Sequence, residues 1–546
     1  MSSPFPRSAR SLAVLSLAGA VACSIDSPGD DPPDDALFFP MGMALDPARV
    51  LAGGDTCAVD EDCGALEDGW GCRVGTCRQR SPLLYVAAAN SDLRFNGGAL
   101  QVFNLDGFFA ALADTANIAA PGMSVDDDVP CRAVATRPQV SECLESTFAQ
   151  TSYPAHVGNF ATDLEPWFDP ETGRKLLLMP VRGDPSVVWF ELGKRADAGF
   201  VYCGQGTGFG EDAARCGDAF RLRNLRDDPS LERLSIEPYE LTISPDPTRP
   251  LAYLAHTLSS SVTLIGLRGL RNASVGEQNP VIVDRSTIFA APGVIAGGYA
   301  IAERPCDEEA APALSVECED GDSGLACTSC ARPLLYGSFR FARALSEMVV
   351  FDLEEDELAA DQSCVAPDEL GTSGGLVCDP QISLVNQFSP GGLAGSSGGA
   401  VPRLGSVKFT GDGETMYVVQ SSPAALLRVN TSIGPDGDVR REPTGSVEVC
   451  ARPAELTLYE DGVNSYALVS CYSVGQVYIV DLNGFQVVSV TQVGTGPHRM
   501  TVDLAREAVF VGNTLDATIS VIDMGDGRAT RFSEIGRLGL QEPYSG

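Results

Sequence analysis

The sequence predicts an all-β fold, a seven-bladed β-propeller with disulfide-bearing loop insertions. Three observations lead there: a pair of short strands recurs along the chain, its most regular copies stand 42 residues apart, and most of the 17 cysteines fall close to one another. The recurring unit is an apolar strand, a turn, then a strand of the form apolar-x-apolar-apolar-polar-apolar. It is cleanest near the end, where Tyr466 to Tyr472 precedes Gln476 to Leu482 and Ala508 to Thr514 precedes Thr518 to Met524. The polar position recurs at Asn104, Glu191, Gly266, Asp352, Asn430, Asp481 and Asp523. The spacing of the last two matches the ~40–45 residues of a four-stranded blade. Larger upstream spacings are the same unit with insertions.

Each copy is preceded by another strand, often entered through proline, as at Pro40, Pro238, Pro453 and Pro497. The best copies add a fourth, such as Val281 to Arg285 or Gln486 to Val493. Four short strands cannot bury both faces of a sheet alone. Stacking such sheets around an axis buries them and leaves short edges.

The units resemble the YVTN-type β-propeller repeat. The matching residues are Phe510-Val511-Gly512-Asn513 with Val521-Ile522-Asp523, Tyr85-Val86-Ala87-Ala88, Tyr417-Val418-Val419-Gln420, and Gly411-Asp412-Gly413 at the turn. The resemblance covers about residues 38–540. It implies the fold and a secreted or surface-attached bacterial setting, and it implies no reaction.

The first residues speak for export. Arg7 and Arg10 precede an apolar run, Leu12 to Ala22, and Cys23 follows at once. That run is well short of the ~20 residues that span a bilayer, and the pattern is that of a signal peptide over residues 1–22. Ala20-Val21-Ala22-Cys23 resembles the lipobox of bacterial lipoproteins, with Ala20 where leucine is usual. Lipidation of Cys23 is expected. Ser24 in the next position implies delivery to the outer membrane of the cell envelope. Residues 23–37 read as the lipidated cysteine and an acidic, Pro-rich tether. Residues 38–546 read as one propeller domain, with Cys-rich insertions at 57–77 and 306–330.

The formal net charge is −35. Such a surface repels polyanions, so nucleic acid is not an expected partner. A monomer is expected, touching the membrane through its lipid anchor only.

Setting Cys23 aside leaves an even number of cysteines, which in an exported chain reads as disulfides. The sequence-near pairs are Cys131/Cys143, Cys203/Cys216, Cys364/Cys378 and Cys450/Cys471. Two clusters, Cys57, Cys63, Cys72, Cys77 and Cys306, Cys318, Cys327, Cys330, leave their connectivity open. Zinc, or a redox pair at Cys327 and Cys330, is the alternative reading, but both need reduced thiols.

Catalytic constellations are scarce. The only histidines are His156, His256 and His498, too few for a copper-cluster propeller, and no Gly-x-Ser-x-Gly elbow occurs. The Gly204-to-Gly210 run reads as a disulfide-closed loop. The acidic runs Asp126 to Asp128 and Glu317 to Asp322 leave Ca²⁺ as the one cofactor to consider, without an EF-hand pattern. No catalytic residue and no metal site is therefore assigned. The chain reads as a binding or scaffold module for an envelope or extracellular protein, peptide or polysaccharide. The alternative is a hydrolase or lactonase-like propeller enzyme using axial carboxylates and a divalent metal.

Innermost strands line a propeller's channel, so the residue two after each entry proline should face the axis. The axial candidates are His156, Glu240, Glu455 and Arg499, with Gly42 and Ser406 in two further units and Val294 in the fourth. The open readings of this ring are a hydrated polar plug, with Arg499 balancing the carboxylates, and a ligand or metal site with His156 and Glu240 as donors.

Overall fold

The computed structural model describes residues 30–46, 70–73, 76–169, 173–193, 201–205, 213–223, 234–245, 250–267, 280–287, 297–305, 333–339, 344–351, 364–365, 377–378, 381–390, 403–434 and 439–541. Cys23 and the signal segment lie outside these residues, as do Cys57, Cys63, Val294, Cys306, Cys318, Cys327, Cys330 and the Glu317–Asp322 run.

The described chain folds into successive sheets, here numbered I to VII. The strands Pro40–Leu45, Leu83–Ala88, Gly98–Asn104 and Ala155–Val157 build sheet I in that order. Sheets III, IV, V and VI repeat the four-stranded plan, opening with Pro238–Ile243, Gly298–Glu303, Leu404–Phe409 and Leu456–Glu460. Sheet II, opening with Glu165–Phe168, has five strands, and sheet VII, opening with Pro497–Asp503, has seven. Neighbouring strands within each repeat run antiparallel. The first strand of each sheet abuts that of the next, and the first strand of sheet VII abuts that of sheet I. The fold is thus an all-β propeller.

The core explains why the second strands read as unbroken apolar runs. Along Leu83–Ala88, Tyr85 and Ala87 pack toward sheet II, whereas Leu84 and Val86 pack toward sheet VII. In sheet VII, Ala508 and Phe510 face sheet I, while Val509 and Val511 face sheet VI. Side chains on a strand alternate between faces, and a strand covered on both faces must be apolar at every position. Apolar clusters of this kind fill the space between successive sheets around the ring. Each fully buried Leu, Val or Phe contributes about 1.5–3 kcal/mol.

The sequence patterns did not reveal one element, the helix Leu105–Ala113. Asn104, the polar residue of the first repeat, caps it by accepting from the Gly107 amide at 3.0 Å. Phe109 of this helix meets Phe510 of sheet VII edge-on at 6.2 Å.

Ring closure uses an insertion. Between the third and fourth strands of sheet I, the hairpin Cys131–Val134/Arg137–Cys143 crosses to sheet VII, where Arg137–Cys143 pairs in parallel with the last strand, Glu534–Leu538. The Cys131–Cys143 disulfide ties the hairpin together. Glu534 is the electrostatic centre of this clasp. It binds Arg137, the fully buried Arg537 at 3.0 Å, and the Ser520 hydroxyl. The Arg137 guanidinium also donates to the Gln492 carbonyl of sheet VI at 2.8 Å.

Disulfides join Cys203 to Cys216 and Cys450 to Cys471 as well. Cys364 and Cys378 stand opposite each other on a two-stranded ribbon, as do Cys72 and Cys77 on another. The segment expected to be a free tether departs from that reading at its end. Residues 30–37 lie against sheet I, because Gln101 donates to the carbonyls of Pro33 and Ala36 at 2.9 and 2.7 Å and Leu37 is buried.

The innermost strands approach closely enough to demand a glycine. A Cβ on Gly42 would lie 2.6 Å from the Asp163 carbonyl carbon, in the backbone of the next sheet. Gly42→Ala is expected to lower stability by about 1–3 kcal/mol through overpacking. A denaturant titration checks this, and an unchanged midpoint would show that the strands can separate freely.

Candidate functional site

A shared irregularity builds the channel mouth. The residue before each entry position, at or a few residues ahead of the first strand, adopts a left-handed backbone at Phe39, Phe160, Glu237, Arg452 and Gly496, with φ of 44°, 61°, 58°, 60° and 71°. In all but Phe160 the next residue is proline. For a non-glycine residue this conformation costs about 1–3 kcal/mol and persists only where its surroundings enforce it. The ladder then shifts register, between Pro238 and Leu241, Gly298 and Ala300, Leu404 and Val407, and Pro497 and Met500. Such a bulge re-aims the side chains it carries.

The residues one past the entry position line a cavity of about 1070 Å³: Met41, Tyr239, Tyr299, Gly405, Ala454 and His498. Those two past it form a buried ring beneath, with Asp163, Glu240, Glu455 and Arg499 at its charged core. Arg499 holds this ring together. Its guanidinium lies 3.4 Å from Glu455, 3.4 Å from Asp163 and 3.5 Å from Glu240. Two residues further along the strands come Glu165 and Lys408, and the Lys408 ammonium reaches Glu240 at 3.8 Å. This layering follows from the two-residue strand period.

Burial dominates the ionisation of the ring. It pushes the Glu240 carboxyl up to about 7, although Arg499 and Lys408 pull it down. Glu165 rises to about 8 through burial and then the neighbouring Asp163, and burial also raises Asp163. For Lys408 burial acts downward, but Glu240 and Glu165 outweigh it and its ammonium is held more firmly than usual. Protons on Glu240 and Glu165 thus relieve the excess of negative charge.

His498 and the tyrosines couple the cavity to this floor. Tyr299 donates its phenolic hydrogen to Glu455 at 3.1 Å, and His498 Nε2 stands 3.9 Å from the same carboxylate. The rings of Tyr239 and Tyr299 lie 5.4 Å apart, tilted by 40°.

Of the axial candidates, Glu240, Glu455 and Arg499 meet here, and His156 does not. His156 lies on Ala155–Val157, the outermost strand of sheet I, with Nε2 3.0 Å from Asp34. The physical reason is that sheet II has no entry proline. Its entry is Ala161, which bridges to Val181 as Pro238 pairs with His256, and the axial residue is Asp163. Sequence reasoning also missed Glu165, Lys408 and the mouth tyrosines. Counting four positions from the entry at Leu404 finds Lys408, whereas Glu165 is reached only once Ala161 is known to be the entry of sheet II. His256 is a buried core histidine, bonded to Thr263 at 2.8 Å and held down to about 4 by burial. Among the described residues no group of three or more acids, histidines or cysteines is arranged to hold a metal ion. In the Asp126–Asp128 run, the Asp126 carboxylate accepts from the Asp128 and Val129 amides, closing its own turn.

No protein-family model matches the chain, and no curated protein matches it. Solved structures similar to it include a putative 6-phosphogluconolactonase from Bacteroides fragilis, at 12% identity and TM-score 0.41, covering 81% of this chain and 93% of that one. The Saccharomyces cerevisiae protein Sqt1 is similar at 8% identity and TM-score 0.43, over 85% and 87% of the two chains. A dihydro-heme d1 dehydrogenase, NirN, is similar at 11% identity and TM-score 0.38. The match covers 74% of this chain and 61% of that one.

Proposed function

We propose that the chain is a seven-bladed propeller of the YVTN type that acts as a binding module for an envelope or extracellular ligand, exported and lipid-anchored at Cys23 to the outer membrane. The observation that carries the binding reading is the mouth cavity, to which sheets I to VII all contribute lining residues. First strands hold Met41, Tyr239, Tyr299, Gly405 and His498 of that lining, and side chains on strands are positioned more precisely than side chains on loops. The closed cycle of first strands supports the blade count, and three disulfides support an oxidising compartment. The test is retention of solubilised envelope material on the immobilised chain. Replacing Tyr239 and Tyr299 with alanine is expected to weaken retention by about tenfold or more, as for loss of central aromatic anchors. Undiminished retention would remove the mouth as the binding face.

A second reading, a lactone or ester hydrolase, is favoured by His498 beside Glu455 on the cavity floor. That pair offers a general base with an orienting carboxylate. Lactone turnover abolished by His498→Ala would select it.

A further inference from the structure

We infer that the mouth cavity takes an acidic oligosaccharide, whose anionic groups lie against Arg403 and Arg452 and whose sugar rings lie against the mouth tyrosines. The inference rests on the mouth being a binding site and names what it binds.

Charge distribution is the first support. Acidic residues outnumber basic ones 73 to 38 in the chain. The cavity lining reverses that balance, with Arg182, Arg403, Arg452 and His498 and no carboxylate. Arg182 is engaged by Glu237. Arg403 and Arg452 are exposed, and their guanidinium groups have no hydrogen-bond or ion-pair partner among the described residues. The strained left-handed backbone of Arg452 places it at the collar of the channel. An unengaged guanidinium presents a planar fork suited to carboxylate or sulfate. The floor does not cancel this field, because the buried Arg499 and the half-buried Lys408 face its carboxyls, of which burial raises Glu240 to about 7 and Glu165 to about 8.

Shape and surface chemistry supply the second support. A cavity of about 1070 Å³ matches the upper end of the roughly 300–1,000 Å³ of small-molecule pockets, which leaves room for more than one sugar ring. Of the lining tyrosines Tyr472 is exposed, Tyr299 half-buried and Tyr239 buried in the cavity wall, and Ser422 offers a hydroxyl, while the Ser421 and Thr514 hydroxyls donate to the Arg403 and Gly496 carbonyls and are left to accept. Sugars present apolar ring faces flanked by hydroxyls, so this mixture complements them. The acidic exterior opposes a long polyanion lying across the surface. It leaves a short acidic chain, or a chain end, entering the mouth.

Calorimetric titration of the purified full chain tests the inference. The probes are tetragalacturonate, a sulfated tetrasaccharide and the neutral cellotetraose, at low and high salt. At least one acidic probe is expected to bind at least tenfold more tightly than cellotetraose. That binding should weaken by about tenfold in high salt, which screens exposed charge, and by about tenfold or more in the Arg403→Ala/Arg452→Ala variant. Preference for the uronate or the sulfated probe assigns the source of the anion. Thermal unfolding should show the double variant folded as wild type, since both side chains are exposed. Equal binding of cellotetraose, or acidic binding that survives loss of both arginines, would overturn the inference. Neutral binding removed by Tyr239→Ala would do so while leaving the mouth a binding site. No binding of any probe ends the saccharide inference, and the envelope-retention experiment then decides the binding reading on its own.

Discussion

Glu534→Ala is expected to destabilise the domain by about 3–5 kcal/mol, the range for removing one partner of a buried ion pair. Glu534 is buried between Arg137 and Arg537, and Arg537 has no exposed surface. Without the carboxylate, Arg537 keeps only Gln541, whose side-chain oxygen accepts from it at 2.8 Å, and its charge stays inside the clasp uncompensated. Glu534→Gln should be milder, because the amide oxygen can still accept. Glu534→Ala combined with Arg537→Met should recover much of the loss, because the stranded cation is gone. Chemical denaturation of the four proteins measures this. A midpoint unchanged in Glu534→Ala would mean that the clasp does not hold the ring.

Arg499→Met should produce the second large effect, and its size should depend on pH. In the wild type, the folded state keeps protons on Glu240 and Glu165 up to about 7 and 8. The unfolded chain releases them near the usual ~4.3 for glutamate. The folded state therefore binds more protons across that window, and these groups make stability fall as pH rises through it. Without Arg499, Glu240 loses its nearest cation and Glu165 the weaker of its two, and both rise further. We expect a loss of about 3–5 kcal/mol at pH 8 and a clearly smaller one at pH 5, where protonation relieves the repulsion. Glu240→Gln should flatten the wild-type pH dependence. Thermal midpoints at the two pH values decide the matter, and an equal loss at both would mean that Arg499 does not balance the ring carboxylates.

Much of the fold was legible because double-sided burial writes itself into sequence. The runs Leu83–Ala88 and Ala508–Asn513 are apolar at nearly every position, since each face meets a different sheet. The entry prolines marked where first strands begin, which is why Glu240, Glu455 and Arg499 could be placed together. The same signal misled where it was missing: Pro154 precedes an outermost strand, so His156 was drawn to the axis and Asp163 was overlooked. The clasp was illegible for another reason. Parallel pairing between Arg137–Cys143 and Glu534–Leu538 leaves no local pattern, because the partners are remote and the register comes from three-dimensional fit. Of the mouth arginines, Arg452 stands directly before the entry proline Pro453, whereas Arg403 precedes a leucine and carries no such mark.

The clasp also bears on how the ring is made. Arg137 and Glu534 are 397 positions apart, so during synthesis the hairpin of sheet I emerges long before the strand that receives it. Until then sheets I and VII each lack one neighbour. The apolar faces around Leu84 and Phe510 and the unpaired edge of the Arg137–Cys143 strand stay uncovered. Contacts that close so large a loop form late and slowly. The waiting chain exposes the kind of edge that recruits other chains. Closure of the ring is accordingly the step at which maturation of this domain competes with aggregation.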